Sequence, residues 1–338
     1  MFSCIYKERT VEMKKNTGTL LYTLSKEEKK RRFINKLKRY KYLYIMMIPA
    51  LVTLILFNYL PMFGLTIAFK DYNIMKGVWK SPWADNNGLE HFIKIFSEPY
   101  VLKVLKNTLL LSFYKLVFGM SAPIILALFI NEVNNKLFKK TVQTISYLPH
   151  FLSWVIIAGL VNNFFSPSSG IIPMVMKLVT GNSTQLSLLT DEKYFRAILV
   201  ITDIWKEIGW SSIIYLASIS GIDPSQYEAA VIDGASRFQR MIYITLPSLI
   251  PLIITLLIMK CGTILNAGFD QVFNMYNSMV MNVADIIDTY TYRLGLIEMD
   301  YGFSSAVGLF KSLVGIVMVL LSNFISKKIT GESNALWA

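Results

Sequence analysis

Gly221-Ile-Asp-Pro-Ser-Gln-Tyr-Glu-Ala-Ala-Val-Ile-Asp-Gly-Ala-Ser-Arg-Phe-Gln-Arg-Met-Ile-Tyr-Ile-Thr-Leu-Pro247 separates two apolar segments and decides how the rest of the chain reads. Asp223 suits a helix N-cap, and Pro224 suits the first helical position, where its missing N–H costs nothing. Ser225 to Ile232 then has the length of two helical turns. Gly234 can adopt the left-handed conformation that ends a helix. Ser236 can cap a second short helix running to about Tyr243, and Pro247 is expected to break the backbone after it. The stretch predicts a helix-turn-helix hairpin. Ala229 and Ala230 leave a small-residue face that another surface can approach closely, with the charge of Glu228 at its rim.

Both flanks of the hairpin are membrane-like, and so is the composition. Of 338 residues, 54% are hydrophobic and 17% are charged, against roughly 25% charged in soluble proteins. Mean hydropathy is +0.45. A disordered chain is excluded, and an ordinary soluble enzyme would expose aggregating patches. A span needs roughly 20 mainly apolar residues. Six segments qualify, at about 42–63, 107–130, 146–165, 197–219, 248–269 and 304–325. Lone charges interrupt four of them: Lys115 in the second, Asp203, Lys206 and Glu207 in the fourth, Lys260 in the fifth and Lys311 in the sixth. The expected fold class is an all-α polytopic membrane protein with six transmembrane helices.

Orientation follows from Lys and Arg bias. With the N-terminus inside, the inner segments carry 20 of these residues and the outer segments 8. Both termini are then cytoplasmic, and so is the hairpin. The chain divides into a basic cytoplasmic segment at 1–41, a six-span domain at 42–326 and a cytoplasmic tail at 327–338. The first 41 residues lack the apolar core of a signal peptide. Their run from Lys26 to Tyr40 reads as a basic, partly amphipathic helix lying against anionic lipid rather than nucleic acid. Three outer loops, about 70–102, 166–196 and 271–303, are long enough to carry function. Trp79, Trp83, Tyr276, Tyr290 and Tyr292 suit either a docking or sugar-facing surface or an interfacial aromatic belt. Asn182-Ser-Thr matches a glycosylation sequon, a pattern too short to carry weight.

Catalytic and metal chemistry find no support. Cys4 and Cys261 cannot build a disulfide framework, and His91 and His150 are far apart. There is no GxxxxGK[ST], HExxH or GxSxG, so the chain does not hydrolyse ATP by a P-loop of its own. No catalytic residue, metal site or cofactor is expected.

The hairpin carries a specific likeness. Glu228-Ala-Ala230, three residues, Gly234, nine residues and Ile244-Thr-Leu-Pro247 resembles the EAA signature of ABC-importer permeases at every defining position. Beyond it, Tyr59-Leu-Pro-Met-Phe-Gly-Leu-Thr-Ile-Ala-Phe-Lys-Asp-Tyr72, Tyr147-Leu-Pro-His-Phe-Leu-Ser-Trp154 and Phe164-Phe-Ser-Pro-Ser-Ser-Gly-Ile-Ile172 resemble the LplB-type carbohydrate branch, as do Val283-Ala-Asp-Ile-Ile-Asp-Thr-Tyr290 and Ala306-Val-Gly-Leu-Phe-Lys311. The resemblance covers nearly everything after residue 40. It implies a type I importer permease fold in a bacterial cytoplasmic membrane. It also implies a second homologous permease, two cytoplasmic ATPase subunits that bind the ATP, an extracellular solute-binding lipoprotein and an oligosaccharide or polysaccharide fragment as substrate. By the same resemblance, Glu228, Ala229, Ala230, Asp233, Gly234 and Ala235 belong to the coupling element that sits in the ATPase.

Charges inside a bilayer are expensive and face a partner or a water-filled path. Asp203, Lys206, Glu207 and Trp210 fall on one helical face, beside Trp205. Lys260, Thr263, Ala267 and Asp270 would share another, with Asn266 adjacent. Asp203, Trp205, Lys206, Glu207, Trp210, Lys260, Thr263 and Asn266 are therefore candidates for the substrate path. The alternative is an ion-pair network of Asp203 or Glu207 with Lys206 or Lys260 that only holds helices together. Lys115 and Lys311 have no acid nearby in sequence. A lysine-lined path would favour acidic sugars such as uronates.

Other function classes leave marks that can be sought. A gradient-driven transporter would show inverted repeats, and none is evident. An ABC permease for a non-sugar solute would share the hairpin. A membrane enzyme needs a convergent acid, base or metal set. Asp285, Asp288, Glu298 and Asp300 form the only acidic cluster, and read more simply as a solvated loop facing a binding protein.

Overall fold

A computed structural model describes residues 26–166, 170–180 and 188–330. The sequon at 182–184, the first 25 residues and the end of the tail lie outside them. The described secondary structure is helical apart from an isolated bridge between Lys70 and Trp83. The chain forms two compact units, 1–65 and 66–338.

In the first unit, Lys26–Arg39 forms the expected basic helix. Lys36, Lys38 and Arg39 crowd its last turn, where they oppose the negative end of the helix dipole. The apolar run Lys41–Phe69 is helical over 29 residues. It passes Pro61 through a π-turn, Ile55–Tyr59. A proline ring clashes with the carbonyl four residues back, here that of Phe57, inside the widened turn.

The second unit holds the remaining helices. Pro99–Glu132, Arg237–Cys261 and Tyr301–Lys328 are long and apolar enough to cross a membrane. Lys136–Phe151 and Trp154–Phe165 pass that test only as a pair, bent by 104°. The third expected span is therefore broken, with Pro149 in its last turn and Ser153 capping the restart. Glu192–Ser220 has 29 residues, roughly 43 Å at helical rise. Its three internal charges separate it from the apolar four.

The fifth span departs most from expectation. Pro247 does not break the backbone: Arg237–Cys261 is one helix, with a π-turn over Met241–Thr245 that contains the carbonyl facing the proline ring. The helix ends at Cys261 rather than near 269. The chain then turns through 262–267 to Gly268, whose φ of +94° needs glycine. Lys260, Thr263, Ala267 and Asp270 consequently do not form a helical face.

Three apolar clusters hold the unit together. One joins Leu111, Ile157, Phe195, Leu199, Val272 and Ile286. Another joins Ile95, Val101, Val104, Ile287, Phe303 and Val307. The third gathers Leu128, Tyr215, Ile219, Met241 and Leu249 near the hairpin. Glu192–Ser220 packs along Pro99–Glu132 and against Lys136–Tyr147. At the second contact Gly209 lies so close that a Cβ there would meet the Ser146 carbonyl oxygen at 2.1 Å.

The acidic segment near 285–300 is not a solvated loop. It contains helices Met281–Ala284 and Ile287–Tyr292 and a π-turn Arg293–Ile297. Asp285 is buried; it accepts from both Arg293 amino groups at 3.1 and 2.6 Å, from Tyr100 at 2.7 Å and from Thr289 at 2.7 Å. Burial alone would lower the Arg293 guanidinium, but the Asp285 carboxylate outweighs it and raises its pKa. Asp288 pairs with Lys311.

Candidate functional site: the hairpin and the intramembrane charges

The hairpin forms as its residues dictate. Asp223 accepts the Ser225 backbone N–H at 3.0 Å and caps Pro224–Ile232. That bond holds its carboxyl below the usual carboxylate range. A group whose pKa is depressed on folding stabilises above that range and loses the effect as pH falls through it. At the other end Gly234, with φ +81°, closes a Schellman motif. Ala235 N–H donates to the Ala230 carbonyl at 2.8 Å and Gly234 N–H to that of Val231 at 3.1 Å. Ser236 and Gln239 then form a reciprocal capping box. Tyr227 and Thr245 share a hydroxyl hydrogen bond of 2.9 Å that pins the first helix to the second. Glu228, Ala229, Asp233 and Gly234 are exposed, while Ala230 and Ala235 are half-buried. Ile232, Phe238 and Tyr243 are 86%, 68% and 76% exposed. These apolar side chains stand exposed on an otherwise polar hairpin.

The charges on and around Glu192–Ser220 sort into three groups. Asp203 pairs with Lys115 at 3.2 Å. Lys115 Nζ also donates to the Ala267 carbonyl at 2.8 Å and to Gln271 Oε1. Fully buried Gln271 donates in turn to the Leu199 carbonyl at 2.7 Å and to Thr202 Oγ1 at 2.8 Å. The turn after Cys261 is thereby bolted to Pro99–Glu132 and Glu192–Ser220. A Cβ at Gly268 would lie 2.7 Å from Lys115 Nζ and would push that ammonium out of its present bonds.

The second group sits at the broken span. Buried Lys206 donates to the carbonyls of His150 at 2.6 Å and Leu152 at 2.8 Å, with Glu207 at 3.9 Å. A helix break strands carbonyls, and Lys206 occupies two of them. Glu207 also meets His150 Nδ1 at 2.9 Å. His150 stacks on Trp210 at 4.5 Å, 1° from parallel. Trp205 and Trp210 are each 45% exposed.

The third group is open. Lys260, Thr263 and Asn266 are exposed. They line a cavity of about 210 Å³ together with Ser112, Lys115 and Asp203. A second cavity of about 100 Å³ is lined by Asp203, Glu207, Ser211 and Lys260. Residue spacing brought Asp203, Lys206, Glu207 and Trp210 to one helix correctly. It could not pair Asp203 with Lys115, and it missed His150 and Gln271, which lie 57 and 156 residues from their partners. His150 falls inside the Tyr147–Trp154 stretch; Gln271 carries no signal in the sequence.

Known proteins agree with this architecture. Residues 116–331 match the family model of the binding-protein-dependent transport system inner membrane component. Protein LplB of Bacillus subtilis (strain 168) is 46% identical over 88% of this chain and 92% of its own. The polygalacturonan/rhamnogalacturonan transport system permease YteP of the same organism is 43% identical over 91% and 94%. A solved bacterial ABC transporter involved in import of the acidic polysaccharide alginate contains a chain 42% identical, with a TM-score of 0.81 over 88% of this chain and 99% of that one. By family model, relatives and fold, the chain belongs to the binding-protein-dependent transport system inner membrane components, the membrane permeases of ABC importers.

Proposed function

We propose that the chain forms half of the translocation path of an ATP-driven carbohydrate importer. In this reading a second homologous permease supplies the other half, and two cytoplasmic ATPase subunits bind the ATP. An extracellular binding lipoprotein delivers the oligosaccharide. The names of the relatives and of the alginate importer support a carbohydrate cargo. The chain adds no catalytic group of its own and needs no cofactor.

The four apolar helices, the bent pair and Glu192–Ser220 together supply six spans, with both termini and the hairpin in the cytoplasm. The domain limits stay at 1–41, 42–326 and 327–338. Glu228, Ala229, Ala230, Asp233, Gly234 and Ala235 dock in the ATPase. Asp203, Glu207, Lys260, Thr263 and Asn266 line the path, with Trp205 and Trp210 offering faces to sugar rings. Lys206 supports the path through the His150 and Leu152 carbonyls.

The observation that carries the reading is the exposed, fully capped hairpin on the end of the helix that bears the intramembrane charges. Closure of the ATPase would move that hairpin and bias the permease outward, a shift that requires differential binding of the two states. The test is purification from native membranes in mild detergent, followed by reconstitution. Recovery of a second permease and an ATPase, with ATP-dependent sugar uptake into vesicles, is the expected result. A chain that purifies alone while other membrane complexes survive would overturn the assignment.

A further inference from the structure

Four lysines sit in the long helices: Lys115, Lys206 and Lys311 at internal positions, and Lys260 in the last turn of Arg237–Cys261. Three have a carboxylate partner, respectively Asp203, Glu207 and Asp288. Lys115 and Lys206 are further occupied by carbonyl acceptors at 2.6–2.8 Å. Among the described residues Lys260 makes neither an ion pair nor a side-chain hydrogen bond. It lines both polar cavities, opposite an Asp203 already committed to Lys115. Asp203 is paired with Lys115, and Glu207 with His150 and Lys206, so of the two lysines that line these cavities Lys260 is the one left without a carboxylate. An ammonium with no carboxylate partner that opens onto a polar cavity is placed to donate a charge-assisted hydrogen bond to an anion's oxygen.

We infer that Lys260 is a substrate-reading residue whose ligand is the carboxylate of a uronic acid unit, so that the cargo is an acidic oligosaccharide. The inference rests on the importer reading above. Thr263 and Asn266 expose a hydroxyl and an amide on the same wall for the ring hydroxyls. The larger cavity, about 210 Å³, is below the ~300 Å³ at which sites for larger ligands begin, so one ring is read at a time. A carboxylate matches the one unpaired charge of Lys260. A phosphate, at about −1.5 to −2, would leave the cavity with excess negative charge. Lys115 does not take this role because its ammonium is saturated by Asp203, Ala267 and Gln271.

The test uses the complete importer, both permeases and the ATPase, in lipid nanodiscs. Trigalacturonate, triglucuronate and trimannuronate are titrated against their neutral methyl esters, with tryptophan fluorescence as the readout. Wild type should bind at least one acid about tenfold more tightly than its ester. K260Q should lose that preference while still binding the ester, and K260R should keep it. Equal binding of acid and ester by wild type would overturn the assignment of Lys260 while leaving the importer reading intact. A preference that survives in K260Q would do the same. A K260Q complex that sheds its second permease would assign Lys260 to a carboxylate of that subunit instead. Binding of no member of either series, in a complex whose ATPase turns over, would remove the sugar reading together with the inference.

Discussion

Lysines that look alike in sequence have different work to do. The place of Lys206 on a charged helical face suggests a path residue, yet its ammonium holds two stranded carbonyls. Losing a buried charged donor that satisfies two acceptors costs about 2–4 kcal/mol. Lys206→Met should therefore lower the thermal midpoint of the purified complex clearly, with a larger effect on stability than on sugar affinity. Asp203 and Lys115 make a second case. Removing one partner of a largely buried pair costs about 3–5 kcal/mol, because the other charge is left alone. Asp203→Leu or Lys115→Met alone should be severe. The double variant should cost less than the sum, by a double-mutant cycle in thermal unfolding. It should not be neutral, because Ala267 and Gln271 also lose their donor.

At the scale of elements, the hairpin is over-specified: N-cap, Schellman turn, capping box and the Tyr227–Thr245 bond all act on one short stretch. Ala230→Trp leaves each of these in place and only fills the small-residue face. It should leave the protein in the membrane, cut ATP-driven uptake more than tenfold and weaken co-purification of the ATPase. Wild-type uptake in that variant would remove the hairpin from the coupling role. This element was almost wholly legible from sequence, because caps and turn glycines are local chemistry. The break in the third span was not, since the apolar run around Pro149 continues on both sides and hydropathy is blind to direction. Nor was the end of the fifth span at Cys261, because Ile264 and Leu265 prolong the apolar signal past the last helical turn. Pro247 misled for a further reason. A π-turn accommodates a proline ring without stopping a helix, and nothing in the residues themselves announces it.

At the scale of the whole molecule, what sequence could not supply was pairing. The Lys115–Asp203 and Lys311–Asp288 contacts join separate segments by tertiary approach, and Arg293 reaches Asp285 over the short helix Ile287–Tyr292, so the acidic segment near 285–300 reads as solvated although Asp285 is buried. One arrangement carries a mechanical meaning. Glu192–Ser220 runs unbroken from Asp203 to Ser220, about 26 Å of helix at 1.5 Å per residue. Only Gly221, Ile222 and Asp223 separate it from the hairpin. Such a shaft has almost no backlash: whatever the hairpin end does, the charged face must follow. Two glycines inserted after Gly221 should therefore act like a slipped clutch. The ATPase would stay bound and keep turning over in the presence of loaded binding protein, while the number of sugars delivered per ATP falls toward zero.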